Sequence, residues 1–369
     1  MKTIGTERIL RRYGIAGSVV SEEELCGGNV NLTYKVTVRD GASFKTYLVQ
    51  KINANALPSA KDCARNMALV TDHLERHGIR TPKLYAVGRS GERFVSEKNA
   101  FGVEEEWRIE EYLSSVALSP ENPAVIREMA RAFGRCNAAL SDLNPGLLRE
   151  TVQGFHDTYA RFRQLYRAAE SDVCGRADGV RAELAALKAL EADACRVSVA
   201  YAAGKYPIRV THNDTKFNNV LFTTEEPPYG AVVIDFDTVM AGMIAYDFAD
   251  SVRSVAKVTG GSPAEPTAVL DAARFRAVAE GYLAETAAIM TPAESEAMVP
   301  CVLAVTAELS ARYLTDYLAG DRYFKIAYPE QNRDKARLNL ALAQNIASRS
   351  EELANIYADV LAGLSESGR

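Results

Sequence analysis

The residues with the most chemistry in this sequence are Thr211-His212-Asn213-Asp214-Thr215-Lys216-Phe217-Asn218-Asn219 and, farther on, Asp235-Phe236-Asp237. An Asp, an Asn five residues later and a second Asp closing an apolar run form the layout of a phosphoryl-transfer site. Asp214 can take the proton of an attacking hydroxyl. The amide oxygen of Asn219 and the carboxylate of Asp235 can hold Mg²⁺ on nucleotide phosphates. His212 reads as a packing and hydrogen-bonding residue, because the carboxylate two positions on is the better proton acceptor. Asp237 has two readings of equal weight, a residue that holds a second metal or orients the loop, or a plain loop carboxylate with neither role.

Such groups need rigid elements behind them. Pro207 to Val210 and Ala231 to Ile234 are short β-branched runs ending at the polar groups, and they read as strands. Glu225 to Gly230 between them reads as a turn, so the two metal ligands are expected on neighbouring strands. Upstream, Leu32 to Val38 and Phe44 to Ile52 make a hairpin about Asp40-Gly41. The turn that precedes it, Gly27-Gly28-Asn29-Val30-Asn31, offers backbone N–H groups to phosphate oxygens. Ser59 to Gly78 is expected to be a helix, with Cys63, Met67, Val70 and Leu74 on its apolar side. Arg93 to Val95 and Trp107 to Ile109 add two strands, and Glu110-Glu111-Tyr112-Leu113 marks the change to helical composition.

Beyond Ser119 the pattern is helical. Val125, Met129, Phe133, Cys136 and Leu140 form one stripe, and Glu183 to Ala200 carries another. A last long helix is expected from about Arg333 to Leu364, with Leu338, Leu342, Ile346, Leu353, Tyr357, Val360 and Leu364 on one side. The expected architecture is α+β and bilobal, protein-kinase-like: a small β-rich lobe over residues 1–110 and a larger, mainly helical lobe over 111–369.

Composition fits an enzyme with two cores, since 369 residues with 47% hydrophobic and 25% charged residues are ordinary globular values. A net charge of −5 provides no general polyanion surface, so neither nucleic acid nor an acidic membrane is an expected partner. The six cysteines are scattered without a C-x-x-C pair, as in a reducing compartment. Residues 1–14 are charged and lack the apolar core of a signal peptide, and no apolar run reaches the ~18–20 residues of a membrane span. A cytoplasmic monomer or weak dimer is the expectation.

T-H-N-D-T-K-F-N-N with V-I-D-F-D-T resembles the aminoglycoside phosphotransferase and choline kinase superfamily. Further segments resemble the bacterial N-acetylhexosamine 1-kinases within it: Asn31 to Tyr34, Tyr47 to Asn53, Ala64 to Thr71, Phe155 to Thr158, Tyr246 to Arg253, Arg312 to Phe324 and Tyr328 to Asn332. The similarity runs in order along nearly the whole chain, and the Arg312 to Asn332 block separates sugar 1-kinases from their relatives. The resemblance implies ATP as phosphoryl donor, Mg²⁺, and N-acetylglucosamine or N-acetylgalactosamine phosphorylated at the anomeric hydroxyl. It further implies nucleotide contacts from Gly27, Gly28, Asn29, Asn31, Gln50, Lys51, Glu111 and Leu113. Hexose contacts would come from Asp214, Thr238, Arg312 and Tyr323.

Two departures from the kinase pattern stand out. Protein kinases pair a strand lysine with a helix glutamate around the phosphates. Here Gln50 holds the lysine position with Lys51 beside it, and Ala68 stands where related sugar kinases have Glu. Strand alternation sends only one of Gln50 and Lys51 to the functional face: resemblance favours Gln50, chemistry favours Lys51. Arg312 and Tyr323 lie eleven residues apart, and Gly320-Asp321 is expected to end the helix so that Tyr323 curls back. A kinase of another small alcohol, a non-catalytic nucleotide-binding regulator and a metal-dependent hydrolase are the competing readings.

Overall fold

The structure, a computed structural model, describes residues 5–25, 31–54, 57, 59–88, 90–99, 101–223, 230–263 and 265–367. Contacts divide the chain into two compact units. The first comprises Met1–Val116, Gly146–Gln153 and Leu221–Met240; the second comprises Ala117–Pro145, Gly154–Val220 and Ala241–Arg369.

The first unit is built on strands β1 (Ser18–Glu24), β2 (Leu32–Asp40), β3 (Ser43–Lys51), β4 (Val95–Lys98) and β5 (Glu104–Glu111). They form one antiparallel sheet in the order β1-β2-β3-β5-β4. Period-two alternation sends Tyr34, Val36, Val38, Tyr47, Val49, Trp107 and Ile109 to one face, where Ile9, Leu10 and Tyr13 at helix α1 (Thr6–Arg12) close the core. Gly41 turns the β2–β3 hairpin at φ 60°, a left-handed conformation that suits glycine. Helix α2 (Ala60–Arg76) starts where the Ser59 side chain accepts from the Asp62 N–H. It buries the expected Cys63, Met67, Val70 and Leu74 and stops before Gly78 at φ 73°.

The second unit is helical: α3 (Pro123–Ala139), α4 (Thr158–Ser171), α5 (Arg181–Ala202), α6 (Ile244–Val255), α7 (Ala272–Thr286), α8 (Pro292–Leu318), α9 (Gln331–Ser348) and α10 (Ser350–Ser367). Thr291 and Glu294 form a reciprocal capping box at the start of α8, and α4, α5, α6 and α9 pack around it. By length and composition α8 could span a membrane, although no such run stood out in the sequence. Its apolar window is 72% buried within the unit, which makes it the central core helix. Helices α3 and α7 approach so closely that a Cβ on Gly281 would lie 2.1 Å from the Arg127 carbonyl oxygen.

The expected single helix from Arg333 to Leu364 is corrected to two. Arg349 leaves helical geometry at φ −116°, ψ 17° and ends α9. Its guanidinium grips Glu352 and the Leu270 carbonyl instead of continuing the stripe. The stripe itself lapses there, because Arg349 and Ser350 occupy the positions three and four residues after Ile346.

Short strands frame the two polar motifs. Strand β6 (Arg209–Thr211) precedes the Asp214 loop, and β7 (Val220–Thr223) follows it and pairs with β8 (Gly230–Val233), while β9 (Met240–Gly242) pairs with β6. Strands β10 (Lys257–Gly261) and β11 (Pro266–Leu270) form a separate hairpin.

Candidate active site

The loop after β6 is held from three sides. Asp247, fully buried on α6, accepts from the backbone N–H groups of His212 at 2.9 Å and Asn213 at 2.7 Å, and from Asn137 Nδ2 at 2.8 Å. Burial raises the Asp247 pKa and prevails over the lowering effect of His212 and of these donors. His156 Nε2 meets the Asn213 carbonyl at 3.1 Å, while its Nδ1 lies 3.3 Å from Glu308. Burial opposes charge on His156, yet Glu308 outweighs it and leaves the pKa above the ordinary histidine value. Gly242 lies against the third side, where a Cβ would stand 2.3 Å from Thr211 Oγ1. Asn213 takes the left-handed conformation at φ 67°, which Asn is among the few non-glycine residues to tolerate, and this turns the chain toward Asp214. His212 is buried edge-on against Phe133, in the packing role expected of it.

Asp214 retains about a quarter of its side-chain exposure. Its Oδ2 accepts from Lys216 Nζ at 2.6 Å and from Asn219 Nδ2 at 3.0 Å, and its carbonyl accepts from the same Nδ2 at 2.8 Å. Burial acts to raise the Asp214 pKa, but Lys216, then His212 and Arg253, more than offset it and hold the carboxyl below its ordinary value. With Nδ2 committed to Asp214, Asn219 presents its amide oxygen, a hard ligand suited to Mg²⁺.

In the same unit Arg312 lies 5.0 Å from the Phe155 ring and 5.8 Å from both Tyr323 and Phe324. Helix α8 ends at Leu318, and Gly320 at φ 90° and Asp321 at φ 58° reverse the chain, so Tyr323 does curl back. Asp316 builds that reversal by accepting from the N–H groups of Arg322, Tyr323 and Phe324 at 2.8, 2.8 and 2.9 Å.

The D-F-D segment belongs to the first unit. Asp235 adopts φ 66°, ψ 59° at the start of a single 3-10 turn, Phe236–Thr238, which carries Thr238. Both oxygens of Asp237 are engaged, Oδ2 by Asn31 Nδ2 at 2.7 Å and Oδ1 by Arg108. Asn31 Oδ1 accepts from the Asn53 N–H at 3.0 Å. Within this unit Gln50 stands opposite Arg108 and bonds it at 2.7 Å, whereas Lys51, on the other face of β3, pairs with Glu105 at 2.6 Å. Glu111 accepts from the Lys83 N–H at 3.2 Å, and Leu113 is buried. Gly27, Gly28 and Asn29 lie outside the described residues.

Asp247, His156, Glu308, Asp316 and Arg108 carry positioning work that the sequence reading assigned to none of them. Asp247 left a signal, a carboxylate within the apolar run of α6. Arg108 left a weaker one, a cation amid the buried residues of β5.

Among solved structures, a microcompartment-associated aminopropanol kinase superposes with a TM-score of 0.63 at 16% identity, covering 95% of this chain and 98% of that one. An aminoglycoside phosphotransferase from Alicyclobacillus acidocaldarius gives 0.56 at 16% identity over 98% and 96% of the chains. Amicoumacin kinase, solved with AMP-PNP and Ca²⁺, gives 0.55 at 13% identity over 95% and 93%. At these identities the likeness shows the fold, which is α+β and kinase-like with an antiparallel sheet followed by a mainly helical remainder. The profile of the phosphotransferase enzyme family matches residues 22–286, the stretch that holds Arg108, the Asp214 loop and the D-F-D segment, and the chain belongs to that family.

Proposed function

We propose that this chain is an ATP-dependent kinase that phosphorylates the anomeric hydroxyl of N-acetylhexosamines. The observation that carries the proposal is Asp214, a partly exposed carboxylate on a loop clamped by Asp247 and bonded to Asn219. Asp214 accepts the C1 hydroxyl proton as that oxygen forms its bond to the γ-phosphorus; the bond from γ-phosphorus to the bridging oxygen breaks and ADP leaves. Asn219 and Asp235 are the residues that would hold Mg²⁺, which when bound would offset charge on the phosphate oxygens. A hemiacetal hydroxyl is more acidic than a plain alcohol, so a carboxylate of lowered basicity suffices.

The sugar reading is supported by Arg312 among aromatic rings, a forked donor beside apolar walls that suits a hydroxylated ring. A cationic amino-alcohol or aminoglycoside would meet like charge there. Thr238 and Tyr323 complete the proposed hexose contacts. Gly27, Gly28, Asn29, Asn31, Gln50, Lys51, Glu111 and Leu113 are the proposed nucleotide residues, the last two just beyond the lobe proposed over 1–110.

The test is phosphorus NMR of the protein with ATP, Mg²⁺ and N-acetylglucosamine or N-acetylgalactosamine. A new phosphate resonance coupled to the anomeric proton is expected. Turnover of amino-alcohols with both sugars inert would overturn the sugar assignment and leave the kinase assignment standing.

A further inference from the structure

The first unit holds a charge cluster that the phosphoryl-transfer scheme does not use. Arg108 is 1% exposed, the largest fully buried side chain among the described residues. Its Nε lies 2.7 Å from Gln50 Oε1 and 2.7 Å from Glu110 Oε1, and its Nη1 engages Asp237. Its Nη2 is buried without a hydrogen-bond partner. Burial works against its charge, but Asp237 and Glu110, with Asp235 behind them, raise its pKa beyond the ordinary arginine value. A lone buried cation costs far too much to persist without such partners.

The register explains why it is there. Gln50 on β3 is directly opposite Arg108 on β5, so the two side chains rise from one rung of the ladder on one face. A lysine at position 50 would face Arg108 as a like charge. A neutral Gln accepts from it instead. The cation that kinases place on β3 has here moved one strand over, and it reaches the D-F-D segment from its new position.

We propose that Arg108 is the positioning cation of the metal loop: it replaces the missing strand lysine and holds Asp237 as an anchor, which removes Asp237 from the metal's ligands. The geometry of Asp237 agrees, since each carboxylate oxygen already takes a donor, one of them the Arg108 cation, and its carbonyl also accepts from Thr151 at 3.3 Å. Asp235, two residues away, is thereby fixed in its left-handed conformation. Asn31 extends the same anchor to the residues beginning β2.

The inference rests on the kinase reading for its metal arm alone, so the experiment has two arms. Thermal melting without nucleotide or metal compares Arg108→Met, Arg108→Lys, Asp237→Asn and the pair Arg108→Met/Asp237→Asn. In the second arm the Mg²⁺ concentration for half-maximal turnover is measured for the same proteins and for Asp235→Asn. Arg108→Met is expected to melt several degrees lower and to need at least tenfold more Mg²⁺, because it uncovers buried carboxylates. Arg108→Lys is expected to recover most of both losses, and adding Asp237→Asn to Arg108→Met is expected to recover part. A double variant no better than Arg108→Met, in folding or in turnover, would overturn the anchor. So would an Asp237→Asn protein whose Mg²⁺ requirement rises as far as that of Asp235→Asn. Recovery in melting with a parent that phosphorylates nothing would uphold the anchor and reject the kinase.

Discussion

In the proposed mechanism Asp214 acts as a base while paired with a lysine. Lys216 Nζ sits 2.6 Å from Oδ2, and Lys216 leads the influences that hold the Asp214 pKa down against burial. That arrangement favours fixed orientation over strong basicity, as a loose transition state allows. We expect Asp214→Asn to lower kcat by roughly 10²–10⁴ while nucleotide affinity is nearly kept, measured by ADP release and by equilibrium binding. Parent-like turnover would sink the assignment. Lys216→Met should move the pH profile, and its sign is fixed. Losing the cation raises the Asp214 pKa, so the carboxylate protonates at higher pH. The acidic limb of kcat/KM then shifts upward in pH, and an unmoved limb would show that Asp214 does not govern it. At this scale the meeting of Asp214 and Asn219 was legible because they lie five residues apart, whereas the Lys216 contact was not read from the sequence.

The elements behind these residues were legible where the signal was local. The β2–β3 hairpin and α2 follow from alternation, a glycine turn and a serine cap. The break at Arg349 was missed because a spacing of seven between Ile346 and Leu353 still fits one helical face, although the intervening positions 349 and 350 on that face are polar. Contacts far apart in sequence had no such signal: Asn31 meets Asp237 across 206 residues and Arg108 does so across 129. The β6–β9 pairing makes an element-scale prediction. Thr211 Oγ1 donates to Asn213 Oδ1 at 2.9 Å, and Gly242 leaves it room. Gly242→Ala would press a methyl group onto that hydroxyl and displace Asn213 and its neighbour Asp214. We expect kcat to fall roughly 10²-fold, as a misplacement of about 1 Å can cause, with the sugar KM little changed. Adding Thr211→Ala, which removes the clashing oxygen, should restore part of the rate. If the double variant is slower than Gly242→Ala alone, the clash is not the cause.

For the molecule as a whole, the candidate residues divide between the two units. Asp214, Asn219, Arg312 and Tyr323 belong to the helical unit, and Asn31, Gln50, Lys51, Asp235, Asp237 and Thr238 to the sheet unit. The net charge of −5 would draw cationic substrates toward the protein generally, so the proposed selectivity for a neutral sugar needs a local source. On that proposal the source is Arg312. It is a cation at the start of the block resembling sugar 1-kinases, and three aromatic rings hold it in position. Arg312→Met keeps the length and apolar contacts of the side chain while removing the charge and the fork. We expect it to lower kcat/KM for N-acetylhexosamine by about 10–100-fold, about 1.4 kcal/mol per decade, with the KM for ATP within about twofold of the parent. The same substitution should improve any residual turnover of amino-alcohols, because the like-charge penalty is gone. An ADP-release assay across both substrate classes reads both effects. Equal losses for sugar and amine would mean that Arg312 supports the fold rather than choosing the substrate.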